Sequence, residues 1–181
     1  MTTSVPRRIL VHGVTGAGKS TLAEQIGTAA GLPRHSVDDE IGWLPGWVER
    51  PHDEQRDLAQ RIVADEEWVL DTAYGHWRDV VMPHVDLIVA LDYPRWLSFG
   101  RLLRRTAVRL VRRDQICNGN VESLRVLLSA DSILWWHWRS FSRKRAQIRR
   151  WQRDPGAPPM MRLTSPRQVG PLLAGFARRT H

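Results

Sequence analysis

Cysteine, lysine and long apolar runs are all scarce in this chain of 181 residues. The single cysteine, Cys117, excludes an internal disulfide, and no Cys/His spacing typical of a zinc site is present. No stretch approaches the roughly 20 apolar residues that a membrane-spanning helix needs. The N-terminal residues lead directly into an apolar run, which leaves no room for a secretory signal. These absences predict a cytoplasmic protein with no membrane partner.

Arginine carries nearly all of the positive charge, because Lys19 and Lys144 are the only lysines. The formal net charge of +8 is uneven: residues 101–153 hold 14 basic and 3 acidic side chains, whereas the remainder holds 13 and 16. A basic block is typical of a nucleic-acid surface, a polyphosphate clamp or a merely solvated face. A chain of this length forms one well-filled core, so we expect a single domain over residues 1–181.

Short apolar runs alternate with helical patterns along the chain. The helical patterns cover residues 20–30, 52–67 and 94–113, two further stretches that end near Arg153, and a last helix that Ser165 and Pro166 begin. The predicted strands are residues 9–11, 35–40, 68–71, 85–92 and 160–164, of which the second is brief and ends in carboxylates. Strands that alternate with helices form parallel sheets covered on both faces. The pattern therefore predicts a three-layer α/β fold with a five-stranded parallel sheet.

A glycine-rich turn, Gly13-x-x-x-x-Gly18-Lys19-Ser20, lies between the first predicted strand and the first predicted helix. This is the pattern of the phosphate-binding loop, and the flanking strand and helix are its expected context. Glycines let backbone N–H groups turn toward a β-phosphate, which the N-terminus of the helix also attracts. The sequence thus predicts a P-loop NTPase fold that binds ATP. The predicted nucleotide-binding residues are Gly13, Gly16, Ala17, Gly18, Lys19, Ser20 and Thr21.

The same loop predicts a magnesium site. The hydroxyl of Ser20 is placed to complete the shell of Mg²⁺, and a carboxylate at the end of a neighbouring strand is the usual second group. Asp71 and Asp92 both follow apolar runs. Asp71 is favoured because the small residues after it leave space beside a phosphate, whereas Asp92 would readily cap the next helix. We therefore expect Ser20 and Asp71 to hold the metal, although either aspartate is also consistent with a cap or turn.

Five segments resemble a known group of enzymes by their content and order: GxxGAGKST, DD…GWLPGW, EWVLDTAY, DLIVALDYPRW…RLLRR and RLTSPRQV. Together they resemble the small P-loop kinases of the adenylate-kinase-like group, and above all the bacterial DNA topology modulation (FlaR-like) family. The resemblance extends over nearly the whole chain. It implies a kinase that uses ATP and Mg²⁺, with residues 101–153 as a helical, arginine-rich lid, and it implies no particular acceptor.

The lid of such kinases opens with two arginines, which Arg101 and Arg105 match. The resemblance implies that these two side chains grip the transferring γ-phosphate as charge spreads over its oxygens. Together with Lys19 and a base, they are the predicted catalytic residues. The chain departs from true adenylate kinases after the third strand, where residues 71–78 replace the Gly-Phe-Pro-Arg motif. That departure argues against strict adenylate kinase activity.

Carboxylates and arginines near the second and third strands are candidates for contact with the acceptor. A hydroxyl acceptor benefits from a carboxylate base, which Asp38 or Asp39 would supply. A phosphate acceptor needs arginines instead, which Arg50 and Arg78 would supply. We favour Asp38 as the base because it is the first carboxylate after the strand, although a turn carboxylate fits the sequence equally well.

Aromatic residues are further candidates for acceptor binding. Trp43 and Trp47 flank a Pro-Gly turn and would either stack on a flat base or sugar, or pack their loop onto the core. The LWWHW segment at 134–138 lies near arginines, as in single-strand nucleic-acid platforms. Successive helical residues point in different directions, however, which favours packing against neighbouring helices. The predicted acceptor-binding residues are Asp38, Trp43, Trp47, Tyr74 and Arg78.

The leading functional prediction is a kinase, monomeric or homodimeric, that transfers the γ-phosphate of ATP to a nucleotide, nucleoside or related metabolite. The alternative is an ATP-binding, nucleic-acid-associated protein that uses residues 101–153 as its contact surface. Because the arginines concentrate where a kinase lid would lie, the active site alone accounts for them. A simple NTPase switch would need a glutamine or glutamate aimed at water, and the sequence offers no clear one.

Overall fold

The computed structural model describes residues 5–112, 115–116, 120–121 and 133–178. Its central sheet has five parallel strands, as predicted. In chain order the strands are β1 (Arg8–Gly13), β2 (Arg34–His35), β3 (Trp43–Leu44), β4 (Val48–Glu49), β5 (Trp68–Leu70), β6 (Leu87–Leu91), β7 (Gln115–Ile116), β8 (Asn120–Val121) and β9 (Met160–Leu163). The sheet order is β2-β5-β1-β6-β9, whereas β3 with β4 and β7 with β8 form antiparallel pairs.

Helices cover both faces of the sheet. They are α1 (Lys19–Ala30), α2 (His52–Ala64), α3 (Arg78–Val81), α4 (Arg95–Arg112), α5 (Ile133–Arg153) and α6 (Val169–Ala177). Apolar residues of α1 and α6 pack on one face, and those of α2, α3 and the second half of α5 pack on the other. The three-layer α/β prediction is therefore confirmed. None of the helices within the described residues is long and apolar enough to cross a membrane.

Local chain signals set the ends of two helices. The helix α1 ends at Gly31, whose positive φ of 68° gives the left-handed cap that glycine favours. Before α6, Ser165 and Gln168 form a capping box around a 3₁₀ turn, as the Ser-Pro pair predicted. The predicted lid is described at its two ends, α4 and α5, whereas Cys117 and residues 122–132 lie outside the described residues.

The second predicted strand is shorter than expected. It ends at His35, and residues Asp38–Gly42 form a π-helical turn. The backbone N–H of Ser36 donates to Glu40, and its hydroxyl donates to Asp39. Such bonds offer the backbone an alternative to the sheet ladder, so the strand stops where the carboxylates begin. The loop predicted after it contains the β3–β4 hairpin.

Candidate active site

The glycine-rich turn forms a shallow cradle between β1 and the N-terminus of α1. Gly16 and Gly18 both have positive φ, 80° and 95°. A Cβ at Gly16 would lie 2.3 Å from the backbone oxygen of Ser98, because α4 crosses the turn at that point. Glycine is therefore required both for the backbone conformation and for the close approach of α4. Of the other predicted loop residues, Ala17 is buried and Thr21 is exposed on α1.

Lys19 bends back over this turn. Its Nζ donates to the carbonyl oxygen of Val14 at 3.4 Å. Burial lowers the pKa of Lys19, the negative charges of Asp38 and Asp71 oppose that change, and the charge of Arg105 lowers the pKa further. A cation held in this way has lost part of its hydration, so an incoming phosphate would be bound strongly.

Ser20 and Asp71 meet at the ends of α1 and β5. The Asp71 carboxylate accepts a hydrogen bond from the Ser20 side chain, and its Oδ1 accepts one from the backbone N–H of Val37 at 3.0 Å. Burial raises the pKa of Asp71, although both hydrogen bonds and the charge of Lys19 act in the opposite direction. A hydroxyl paired with a carboxylate beside the cradle is the donor set that Mg²⁺ takes in P-loop enzymes.

The other candidate metal ligand, Asp92, has different partners. Its Oδ1 lies 2.9 Å from Nε of Arg145, and its Oδ2 accepts from Nε of Arg162 at 2.8 Å. These ion pairs join the end of β6 to α5 and β9. Asp92 is therefore a structural carboxylate in this fold, and Asp71 is the one that the cradle brings to Ser20.

Replacing Asp92 with alanine is expected to lower the free energy of unfolding by about 1–3 kcal/mol, because two guanidinium groups would lose a buried carboxylate. Both arginine side chains are about one-third exposed, at 36% and 32%, so water recovers part of the loss. Urea unfolding followed by tryptophan fluorescence measures the change. The exposed Asp57→Ala serves as the control, and an Asp92→Ala midpoint equal to that of the control would show that the ion pairs add no stability.

The two predicted lid arginines lie beside the cradle. Arg101 donates from Nη1 to the carbonyl oxygen of Ala17 at 3.1 Å, and its guanidinium lies 5.5 Å from the centre of the Tyr93 ring. Arg105, one helical turn later, is near enough for its charge to act on Lys19. The i,i+4 spacing thus turns both side chains of α4 toward the loop.

Asp38 faces the loop from the opposite side of the site. Its Oδ1 accepts a hydrogen bond from the hydroxyl of Tyr74, and its charge acts on both Lys19 and Lys144. Asp39, the alternative base, accepts from the Ser36 hydroxyl instead. The π-helical turn therefore directs the carboxylate of Asp38 into the site.

The two candidate arginines on the acceptor side have different surroundings. Arg50 donates from Nε to the carbonyl oxygen of Ile41 at 3.0 Å and from Nη1 to Glu54 at 3.4 Å, so it ties its own loop together. Arg78 donates from Nη2 to the carbonyl oxygen of Ala73 at 3.3 Å, and burial lowers its pKa. Arg78 is the one that lies among the residues around Asp38.

The predicted aromatic contacts lie at the edges of the site. Trp43 and Trp47 are in the β3–β4 hairpin, where their rings meet edge to face with centroids 5.8 Å apart. In the 134–138 segment, His137 is fully buried, whereas Trp135, Trp136 and Trp138 are each about half exposed. Packing thus accounts for His137 and for only part of the three tryptophan surfaces.

Two residues at the site were missed from the sequence, Lys144 and His12. Lys144 reaches the site from α5, and its charge acts on His12. His12 directly precedes the glycine-rich turn, is fully buried, and has no hydrogen-bond partner for either ring nitrogen within the described residues. The available signals were that Lys144 is one of only two lysines and that His12 interrupts an apolar strand.

No family model and no curated protein sequence matches this chain. Solved structures do. A shikimate kinase from Acinetobacter baumannii in complex with shikimate superimposes with a TM-score of 0.61 at 16% identity, over 95% of this chain and 91% of that one. A gluconokinase from Sinorhizobium meliloti 1021 gives 0.50 at 18%, over 97% and 89%. A deoxyadenosine kinase from M. mycoides with bound dCTP gives 0.50 at 12%, over 93% and 97%. The chain therefore has the α/β fold of small P-loop kinases.

Proposed function

We propose that this protein is an ATP-dependent kinase that phosphorylates a hydroxyl group of a small molecule. One observation carries the proposal: Lys19, the Ser20–Asp71 pair and the Asp38–Tyr74 pair belong to a single cluster of interacting charges at one edge of the sheet. A phosphate cradle alone would serve any nucleotide-binding protein. A second carboxylate directed at the same cradle is what a phosphotransferase with a hydroxyl acceptor requires.

Each residue of the cluster has a separate task in this proposal. The backbone of the Gly13–Gly18 turn holds the β-phosphate, and Lys19 spans the β- and γ-phosphates. Ser20 and Asp71 would hold Mg²⁺, which when bound neutralises charge on the phosphate oxygens. Arg101 and Arg105 are positioned beside the turn to stabilise charge that develops on the transferred group.

The acceptor side completes the reaction. The acceptor hydroxyl oxygen forms a bond to the γ-phosphorus while the bond from that phosphorus to the bridging oxygen breaks, and ADP leaves. The hydroxyl proton passes to the carboxylate of Asp38, which the hydroxyl of Tyr74 holds in orientation. The similarity to structures named gluconokinase and shikimate kinase supports a hydroxyl acceptor, and the one named deoxyadenosine kinase keeps nucleosides among the candidates.

The test is a screen for acceptor-dependent release of ADP. Purified protein with ATP and Mg²⁺ is combined in turn with sugars, sugar acids, shikimate, nucleosides and nucleoside monophosphates, and ADP is measured by a coupled assay. We expect one class to raise ADP release well above the rate without acceptor. Calorimetry with ATP and Mg²⁺ is the independent check, since the absence of both binding heat and acceptor-dependent turnover would overturn the proposal.

The second candidate function is the nucleic-acid-associated, ATP-binding protein suggested by the resemblance to the DNA topology modulation family. One observation favours it: a groove of about 710 Å³ along α5 is lined by Arg145, Arg149, Arg150 and Arg153. Binding of duplex DNA that weakens steeply with salt, and weakens further when Arg149 and Arg150 are replaced by glutamine, would support it. A gel shift without binding at low salt would exclude it.

A further inference from the structure

The helix α5 presents one side to the protein interior, and Lys144 lies on that side. The residues His137, Phe141, Ile148 and Trp151 of this stripe are buried and follow helical spacing. Position 144 continues the spacing between Phe141 and Ile148. A lysine there is directed into the molecule rather than into solvent, which is unusual for this residue type.

Lys144 enters a region with an excess of positive charge. It interacts with Lys19 of α1, Arg78 of α3 and its neighbour Arg143, and Asp38 is the carboxylate that opposes them. Burial, followed by these cations, lowers the pKa of Lys144 to about 7, and the charge of Asp38 partly offsets the change. Four cations around one carboxylate are mutually repulsive unless an anion joins them.

Two further polar groups in the same corner have unmet hydrogen-bonding capacity. The Nε of Arg78 is buried and has no hydrogen-bond partner among the described residues, and neither ring nitrogen of His12 has one. The ring of Trp151 lies against both, 5.6 Å from the guanidinium carbon of Arg78 and 4.7 Å from the centre of the His12 ring. Buried donors without partners are costly, so a ligand atom is expected where they converge.

This corner lies on the acceptor side of the sheet. Trp151 and Ile148 belong to the same packed cluster as Val37 and Ile41. Val37 precedes the turn that carries Asp38, and Ile41 lies within that turn. Tyr74 packs against the same cluster. Arg101 by contrast donates to the carbonyl oxygen of Ala17, and Ala17 belongs to the packed cluster on the other face of the sheet. The triphosphate tail would therefore use Lys19 and the arginines of α4. Lys144, whose charge interacts with both Lys19 and Asp38, and Arg78, which packs on Trp151, remain for the acceptor.

We propose that Lys144 and Arg78 form a subsite that binds an anionic group, a carboxylate or a phosphate, on the same acceptor whose hydroxyl faces Asp38. The inference rests on the proposed kinase function and names its substrate class: a small hydroxylated acid or phosphate ester. The side chains of Lys144 and Arg78 are both cationic and partly buried, so each can give an anion a charge-assisted hydrogen bond. Such bonds select ionised acceptors over neutral ones. Burial and then the charge of Lys144 lower the pKa of His12, so this ring adds no further positive charge to the subsite.

The test measures anion binding with the nucleotide site already filled. The protein is saturated with Mg²⁺ and a non-hydrolysable ATP analogue, and its melting temperature is followed as inorganic phosphate or acetate replaces chloride at constant ionic strength. We expect one or both anions to raise the melting temperature. The comparison between them distinguishes a phosphate group from a carboxylate as the preferred anion.

Matched variants assign the effect to the subsite. Lys144→Met and Arg78→Met are each expected to weaken anion binding about tenfold or more, because each removes a charge-assisted hydrogen bond. Lys144→Arg keeps the charge and should bind within about threefold of the original protein. Arg139→Met, at an exposed position of the same helix, should be unchanged. Equal anion binding in Lys144→Met and Arg139→Met would overturn the proposal, as would the absence of any anion effect.

The scarcity of lysine supplies a second readout. Reductive ¹³C-methylation labels Lys19, Lys144 and the terminal amine, so the spectrum contains two lysine signals that the Lys144→Arg variant assigns. Acetate should move the Lys144 signal and raise its pKa from about 7, and acetate affinity should therefore fall as the pH rises through and above that value. A Lys144 signal that ignores acetate would overturn the proposal. Loss of nucleotide-analogue binding would instead contradict the proposed function.

Discussion

Replacing Lys19 with alanine is expected to lower kcat/KM for phosphoryl transfer by about 10³-fold or more. The side chain is held over the glycine-rich turn, where a single preorganised cation beside the transferred phosphoryl group contributes on the order of 10²–10⁵ to the rate. The measurement is ADP release with the acceptor identified by the screen. Arg139→Met, at an exposed position of α5, is the control.

The same substitution should leave the fold intact. Burial is the largest effect on the pKa of Lys19 and disfavours its ionised form, so removing this desolvated cation offsets the loss of its contacts with Val14, Asp38 and Asp71. We therefore expect Lys19→Ala to melt no lower than the original protein while losing activity. Retained turnover in this variant would show that the assay reports a contaminating enzyme or a site elsewhere in the chain.

The geometry around the glycine-rich turn was predictable because its residues are local in sequence. The glycines, Lys19 and Ser20 lie within one turn, and the strand and helix beside them fix its conformation. Asp71 was predictable for a related reason: the carboxyl ends of parallel strands meet at one edge of a sheet, and β5 is the direct neighbour of β1.

The part of the candidate site around Asp38 was less predictable, because it depends on turns and on packing between distant elements. Asp38 and Asp39 are adjacent and chemically alike, and only the structure shows that Asp38 accepts from Tyr74 and Asp39 from Ser36. Arg50 and Arg78 both fitted a phosphate acceptor, although only Arg78 was among the predicted acceptor-binding residues, and the loop contacts of Arg50 appear only in the structure.

For Lys144, the sequence predicts the direction of the side chain but not its surroundings. The helical spacing of its neighbours is enough to predict that Lys144 faces inward. The sequence does not predict which groups surround Lys144, because these depend on α5 packing on the face of the sheet that also carries the Asp38 turn. The basic composition of residues 101–153 made Lys144 harder to single out, since the sequence alone does not distinguish an inward-facing lysine from the exposed arginines of α5.

Replacing Asp38 with asparagine is expected to lower kcat about 10²- to 10⁴-fold, the usual range for loss of a general base. Asparagine can keep a hydrogen bond to Tyr74 and has nearly the same shape, but it takes up no proton from the acceptor hydroxyl. The KM for ATP should change little, because the cradle and Lys19 remain. Steady-state kinetics with varied ATP and varied acceptor separate these effects.

The neighbouring Asp39→Asn is the matched control, since that carboxylate accepts a hydrogen bond from the Ser36 hydroxyl rather than from Tyr74. We expect Asp39→Asn to retain kcat within about threefold while Asp38→Asn loses it. If both variants kept full activity, Asp38 would be only a turn residue. Phosphoryl transfer would then proceed through a loose transition state that needs no base. The acceptor would more readily be a phosphate, which is already ionised and which Arg78 and Lys144 would bind.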